Sequence, residues 1–122
     1  MAFHPIFRAL ALRYTSPYNA NVMPFSSCQG RIYICGRRVD PDLLHEQILA
    51  IAYAQANESQ TAEAWRTFET LRDAIETMHN GHPDTALAIL GNLEEADQAL
   101  AIELVMGPAS PQHAPVASPL FQ

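Results

Sequence analysis

The stretch from residue 40 to residue 81 is the strongest structural signal in the chain, because it predicts two antiparallel helices joined by a short polar turn. Asp40 can accept hydrogen bonds from the free backbone N–H groups of a first helical turn, and Pro41 supplies a preset φ where no donor is needed. The apolar spacing of the first helix is interrupted at residues 57–59, and Ser59 or Thr61 can cap the second helix. We therefore expect a helical hairpin at the centre of the fold.

The second helix of this pair has the clearest apolar stripe in the sequence. Its members are Ala64, Trp65, Phe68, Leu71, Ile75 and Met78. Burying about six large side chains at roughly 1.5–3 kcal/mol each outweighs the charge pairs of the outer face, which contribute about 0.2–0.5 kcal/mol each. We expect packing, rather than surface charge, to hold the two helices together.

The N-terminal part of the chain predicts two β-strands. Residues 6–14 alternate with a two-residue period, and residues 31–35 alternate again and are rich in β-branched and aromatic side chains. The residues between them contain turn chemistry and Pro24, so we interpret them as a long loop. Together these features predict an antiparallel β-hairpin, which needs support from packing on the helices.

Two shorter helices are predicted after residue 81. Pro83 opens a third helix that ends near Gly91. Asn92 and Glu95 have the spacing of a capping box for a fourth helix, which Gly107 closes.

The predicted fold class is therefore α+β, with an N-terminal antiparallel β-hairpin packed on a bundle of about four α-helices. We assign residues 1–107 to one domain, with the hairpin in residues 1–39 and the helices in residues 40–107. Residues 108–122 contain four prolines and no charge, and this composition predicts a flexible tail.

The expected compartment is the cytoplasm. No apolar run approaches the roughly 20 residues that cross a bilayer, so no membrane contact is expected. Pro5 and Arg8 also make the N-terminus a poor signal peptide. In a reducing compartment the two cysteines are expected to be free thiols rather than a disulfide.

The charges divide the chain into two parts. No lysine is present, five of the seven arginines precede Asp40, and all thirteen acids lie at or after it, so the two parts carry about +5 and −11. Such a division indicates either two binding surfaces or oppositely charged faces that neutralise each other within the fold. We favour neutralisation within the fold, because the net charge of −6 repels a polyanion.

Two sets of residues are the candidate binding sites. Arginines bind phosphate and aromatic rings stack on bases, so the N-terminal hairpin is a candidate nucleic-acid site. This basic hairpin consists of Arg13, Tyr14, Tyr18, Arg31, Tyr33, Arg37 and Arg38. The acidic helices instead suit a basic nucleic-acid channel on another protein. This acidic face consists of Asp73, Glu76, Asp84, Glu94, Glu95, Asp97 and Glu103.

No catalytic residue, metal site or cofactor is predicted. Cys28 and Cys35 are separated by six residues, where zinc sites usually have two to four. His79 and His82 lie three apart at a helix end, where a histidine already has an adequate role beside the helix C-terminus.

Two motifs stand in the predicted hairpin: Tyr14-Thr15-Ser16-Pro17-Tyr18-Asn19 and, later, Gly30-Arg31-Ile32. They resemble the pattern Tyr-x-x-Pro-Thr-Asn then Gly-x-Arg-Ile of small proteins encoded by phages, plasmids and other mobile elements. Tyr18 stands in place of the usual threonine, and residues 20–29 make the intervening loop longer. The resemblance covers the first third of the chain and implies an accessory role on a mobile element, with no activity to carry over.

We expect a small non-enzymatic protein-binding module, in the form of a phage or plasmid inhibitor of the anti-CRISPR kind that occupies a surface of a host nucleic-acid-binding complex. The reasons are the small size, the excess of acid, the lack of catalytic motifs and the resemblance. The alternative is a nucleic-acid-binding regulator that uses the basic hairpin. A third interpretation is a small enzyme, which requires a pocket containing Cys35 or a histidine. The last helix also leaves a homodimer open.

Overall fold

The computed structural model describes residues 4–107 and has an α+β fold. Five helices and three strands follow one another in this range. In chain order they are α1 (Pro5–Leu12), β1 (Phe25–Cys28), β2 (Arg31–Ile34), β3 (Arg37–Arg38), α2 (Pro41–Ser59), α3 (Ala62–His79), α4 (Pro83–Leu90) and α5 (Glu95–Met106). The predicted flexible tail, residues 108–122, lies outside the described residues.

The predicted helical hairpin is confirmed as α2 and α3. The Asp40 side chain caps α2 by accepting a hydrogen bond of 3.1 Å from the Leu43 amide. Thr61 caps α3 in the same way, with 3.1 Å from the Ala64 amide to its hydroxyl oxygen. Both helices therefore begin where the capping chemistry of the sequence indicates.

The strand predicted at residues 6–14 is wrong, because this segment forms helix α1. His4 caps it through Nδ1, which accepts from the Ile6 amide at 3.1 Å, and Pro5 takes the first helical position. Helical spacing buries Ile6, Phe7 and Leu10 on one side. A segment of alternating alanine and leucine is compatible with a strand or a helix. The helix forms here because it buries these side chains in the neighbouring core.

The sheet has three antiparallel strands in the order β1-β2-β3. The predicted strand 31–35 is confirmed in large part as β2, but its partner β1 lies inside the segment interpreted as a loop. Both connections are two-residue turns with positive φ, at Gln29-Gly30 (55° and 76°) and Cys35-Gly36 (51° and 81°). Positive φ at both central residues is the backbone of a type I′ hairpin turn.

The last two helices lie where they were expected. The start of α5 differs in detail, because its N-cap is Glu94 rather than Asn92 and makes no side-chain cap hydrogen bond. The capping box predicted from Asn92 and Glu95 is therefore wrong. Gly107, with φ of 91°, ends α5 as predicted.

One hydrophobic core joins α1, the sheet and the long helices. Its fully buried large side chains are Leu10, Ile34, Leu44, Ile48, Leu71, Leu90 and Leu104. The sheet therefore packs on the helices, as the sequence predicted. Within residues 4–107, no helix is both long and apolar enough to cross a membrane.

Candidate functional site

A buried histidine, His45, connects α2 with the ends of α3 and α5. Its Nδ1 is 2.9 Å from Nε2 of His79, and its Nε2 is 2.9 Å from the backbone carbonyl oxygen of Val105. A carbonyl oxygen only accepts hydrogen bonds, so His45 donates its Nε2 proton to Val105 and, when neutral, presents the lone pair of Nδ1 to His79. Nε2–H of His79 is then the donor between the two rings.

The surroundings of His45 favour its neutral form. Burial is the largest effect and lowers the pKa of the imidazole. The hydrogen bond to Val105 raises this pKa, His79 lowers it, and the carboxylate of Asp42 raises it. Because burial dominates, the pKa lies below the ordinary 6.5, and at neutral pH the ring offers an uncharged acceptor at Nδ1.

The histidine pair opens on a cavity of 490 Å³, whose wall combines the sheet, the start of α2 and the ends of α3 and α5. The polar residues that border this space are Arg31, Arg38, Asp42, His45 and His79. The small-enzyme interpretation required a pocket that contains Cys35 or a histidine, and this cavity contains two histidines. Its lining has no hydroxyl or thiol nucleophile. We call this space the histidine cavity.

Three residues of the predicted basic hairpin share the outer face of the sheet. Tyr33 on β2 lies directly opposite Arg38 on β3, and Arg31 is two residues from Tyr33 on the same strand. Neighbours at these positions point to the same side, and the other side is buried through Ile32 and Ile34. We call Arg31, Tyr33 and Arg38 the outer sheet face.

The remaining residues of the basic hairpin lie at the start of β3 or in the segment between α1 and β1. The guanidinium carbon of Arg37 is 5.8 Å from the centroid of the Tyr14 ring, at cation–π distance. The Tyr14 hydroxyl donates to Gln47 Oε1 at 2.6 Å, which ties it to α2. Arg13 caps the end of α1 and is exposed. The structure thus divides the predicted basic hairpin into separate groups.

The arginines of the N-terminal part are not paired with the acidic helices. In the described range, residues 4–107, there is one ion pair, from Arg72 to Asp73 at 3.4 Å within α3. The neutralisation that we favoured from the sequence is therefore not made by direct contacts. The five N-terminal arginines keep their charge available to a ligand or partner.

The segment between α1 and β1 is a loop with a defined conformation. The Asn19 side chain accepts from the backbone amide of Ser16 at 2.6 Å and donates to the carbonyl oxygens of Tyr14 and Cys35 at 3.1 and 2.8 Å. Three large apolar side chains nevertheless face solvent: Tyr18 is 98% exposed, Met23 67% and Val22 44%.

Gly36 lies against the side chain of Val22. A Cβ atom placed on Gly36 would be 3.4 Å from Val22 Cγ1. The loop thus adjoins the β2–β3 turn that leads into Arg37. We call Tyr18, Val22, Met23 and Arg37 the Tyr18 surface.

The predicted acidic face is spread over three helices. Glu94 and Asp97 line one cavity of 150 Å³ together with Glu63 and Arg66. The other members lie on α3 (Asp73 and Glu76), at the start of α4 (Asp84) and on α5 (Glu95 and Glu103). The structure brings Glu94 and Asp97 together.

No zinc site was predicted, and among the described residues the cysteines and histidines that were considered as zinc ligands do not come together. Cys28 is exposed and Cys35 is buried, and both are free thiols. They lie at opposite ends of β2, because Cys28 faces Arg31 and Cys35 follows Ile34. Of the two histidines considered, His79 instead lies with His45 and Asp42.

His45 is not among the site residues predicted from the sequence, although two signals point to it. It lies on the buried side of α2 with Leu44 and Ile48. A buried imidazole without a hydrogen-bond partner would lower the stability of the fold. In an antiparallel helix pair, residues comparably far from the turn lie side by side, and the turn at Gln60 places His45 near His79. Val105 could not be foreseen, because its role depends on how α5 packs.

Comparisons with known proteins give no match, whether to protein-family models, to curated proteins or to solved structures.

Proposed function

We propose that this chain is a non-enzymatic binding module that acts by covering a surface of a partner protein, with the Tyr18 surface as its anchor. The observation that carries the proposal is Tyr18, which is 98% exposed on a loop that Asn19 holds in place. Tyrosine, methionine and arginine are enriched at the centres of protein interfaces. The Tyr18 surface combines all three.

The fixed loop adds to this argument because it lowers the cost of binding. Ordering a loop and its side chains on association opposes affinity, and a loop that is already ordered avoids much of that cost. The Asn19 side chain bridges Tyr14 and Cys35, which lie on two different segments. Tyr18 is thus presented from a fixed backbone to whatever binds there.

The acidic helices suggest the kind of partner. The chain from Asp40 onward carries about −11, and one of its acids is ion-paired within residues 4–107. Anchored beside a basic nucleic-acid channel, this charge would attract the channel and repel its polyanionic ligand. A host nucleic-acid-binding complex, such as a CRISPR effector, fits this description. The resemblance of the N-terminal motifs to mobile-element proteins supports the same kind of partner.

The anchor is tested by site-specific photocrosslinking. A photoreactive phenylalanine analogue replaces Tyr18 in one version of the full chain and Leu87, which is 45% exposed on α4, in the control version. In nuclease-treated host lysate, we expect a protein adduct from position 18 and none from position 87. Equal adducts at both positions, or adducts that vanish with nuclease, would contradict the proposal.

The inhibitory effect is tested on the complex that the crosslink identifies. Nucleic-acid binding by that complex is measured by fluorescence anisotropy with and without the chain. We expect inhibition to weaken for the double substitution Glu94→Gln with Asp97→Asn. It should persist for Glu46→Gln with Glu69→Gln, which removes the same charge from exposed positions elsewhere. An equal loss of inhibition for the two double substitutions would mean that only the net charge matters, and it would contradict a specific role of the acidic face.

A second candidate function is direct binding of single-stranded nucleic acid on the outer sheet face. The observation that favours it is the register that sets Tyr33 between two exposed arginines on one side of the sheet. An aromatic ring flanked by cations is the usual platform for a stacked base and its phosphates. The absence of ion pairs to these arginines within residues 4–107 leaves them available.

Salt dependence separates this candidate from the first. Affinity for a labelled oligonucleotide should fall steeply with salt, and Arg31→Gln or Arg38→Gln should each reduce the slope of log K against log salt by roughly 0.7. Arg8→Gln, at an exposed position on α1, is the matched control and should leave the slope unchanged. Equal effects of all three substitutions would indicate binding by net charge alone.

A further inference from the structure

We propose that Asp42, His45 and His79 bind a divalent transition-metal ion of the zinc class. One ring nitrogen of each histidine and a carboxylate oxygen of Asp42 all lie within 4.8 Å of one another. The ring nitrogens that face each other are Nδ1 of His45 and Nε2 of His79, at 2.9 Å. Two imidazole nitrogens and one carboxylate form a ligand set that zinc uses in sites with an open position. This inference stands on side-chain geometry and does not depend on the proposed function.

The orientation of His45 is the first independent support. A histidine that binds a metal through one nitrogen usually donates the other N–H to a carbonyl or carboxylate, which fixes the ring and its tautomer. His45 donates Nε2–H to the Val105 carbonyl at 2.9 Å. Its remaining lone pair, on Nδ1, is therefore held toward His79 without any metal being needed to place it.

The distance between the rings is the second support. Metal–nitrogen bonds of about 2.0–2.1 Å at a tetrahedral angle place two ligand nitrogens roughly 3.3–3.4 Å apart. The two nitrogens face each other at 2.9 Å in a hydrogen bond, so the His79 ring must swing aside until the lone pairs of both nitrogens point at the ion. His79 is exposed at the end of α3 and has room for this movement, whereas His45 is buried and stays fixed.

Binding requires a change of tautomer at one ring. Nε2 of His79 carries the proton in the hydrogen bond to His45, so this proton must move to Nδ1 of His79 through solvent before Nε2 can ligate. This step moves one proton between the two nitrogens of the same ring and releases none. Asp42, exposed on the first turn of α2, supplies the carboxylate ligand.

The histidine cavity leaves the other coordination positions accessible to water. The ion would join the start of α2 to the end of α3, and His45 connects it to α5 through Val105. Arg31 and Arg38 line the same space and oppose a cation by charge repulsion, which the Asp42 carboxylate offsets in part. Loss of the Asp42 charge should therefore weaken binding strongly.

The test uses the full chain without a polyhistidine tag, freed of metal by chelation and titrated with Zn²⁺ by calorimetry. His45 is buried, so its replacement risks unfolding, and the variants are His79→Gln and Asp42→Asn instead. Glutamine can still donate a hydrogen bond to His45 Nδ1 but is a poor zinc ligand. His82→Ala is the matched control, because His82 is an exposed histidine three residues beyond His79.

We expect one Zn²⁺ per chain, at least tenfold weaker binding for His79→Gln and Asp42→Asn, and unchanged binding for His82→Ala. Co²⁺ should give visible absorption bands of a four- or five-coordinate site in the parent chain and not in His79→Gln. Circular dichroism confirms that each variant is folded. No stoichiometric binding by the parent chain, or equal weakening by His79→Gln and His82→Ala, would overturn the proposal.

Discussion

Asn19 is the residue on which the conformation of the Tyr18 loop depends. Its amide group accepts two hydrogen bonds from Ser16, at 2.6 and 3.2 Å, and donates two to backbone carbonyls, at 3.1 and 2.8 Å. One of these carbonyls belongs to Cys35, which adopts a left-handed φ of 51° in the β2–β3 turn. A single half-buried side chain thus links the loop to the sheet.

We expect Asn19→Ala to lower the free energy of unfolding by about 1–3 kcal/mol, because it removes several partly buried hydrogen bonds at once. Asn21→Ala is the matched control, since Asn21 is exposed two residues away in the same loop, and it should change stability by less than about 0.5 kcal/mol. Urea unfolding followed by circular dichroism measures both. Equal effects would mean that the loop conformation contributes little to stability.

At the scale of elements, the helix caps were readable and the strand pairing was not. Asp40 and Thr61 predict the starts of α2 and α3, because each side chain caps its helix by a hydrogen bond to the amide three residues later. The two hairpin turns carry Gln-Gly and Cys-Gly, which are weaker signals than Asn-Gly or Asp-Gly. Two glycines six residues apart, Gly30 and Gly36, were the available sign of paired turns around a four-residue strand.

Removing the cap of α2 should destabilise the protein measurably. We expect Asp40→Ala to cost about 1 kcal/mol, because the Leu43 amide loses its acceptor. Asp40→Asn should recover most of this loss, since asparagine caps a helix about as well as aspartate. Urea unfolding midpoints provide the comparison. An equal cost for both substitutions would assign the effect to the charge of Asp40 rather than to its hydrogen bond.

At the scale of the molecule, α2 is the element around which the core is built. It packs on α1, α3 and α5, and its residues Leu44 and Ile48 are completely buried. The same helix supplies His45 to the histidine cavity and Gln47 to Tyr14. Changes in its packing therefore reach the histidine cavity and, through the contact of Tyr14 with Arg37, the Tyr18 surface.

Two adjacent leucines of α2 test this arrangement. We expect Leu44→Ala to lower the free energy of unfolding by about 2–5 kcal/mol, because it leaves a cavity in the shared core. Leu43→Ala, at a position that is 47% exposed, should cost much less, below about 1 kcal/mol. Chemical unfolding of both variants decides the matter, and a similar cost at the two positions would contradict the assigned face of α2.

The sequence alone determined the features that depend on neighbouring residues. Helix starts at Pro41 and Ala62, the end of α5 at Gly107 and the α+β class all follow from capping, periodicity and turn chemistry. These interactions span a few residues, so a local pattern contains the information.

Only the tertiary structure decided the features that depend on distant contacts. Residues 5–12 suit either a strand or a helix, and the core that receives Ile6 and Leu10 makes the choice. The histidine pair needs α2 and α3 side by side and the Val105 carbonyl from α5, groups separated by up to 60 residues. The division of charge was visible in the sequence, but whether the charges pair depends on side-chain distances that only the fold sets.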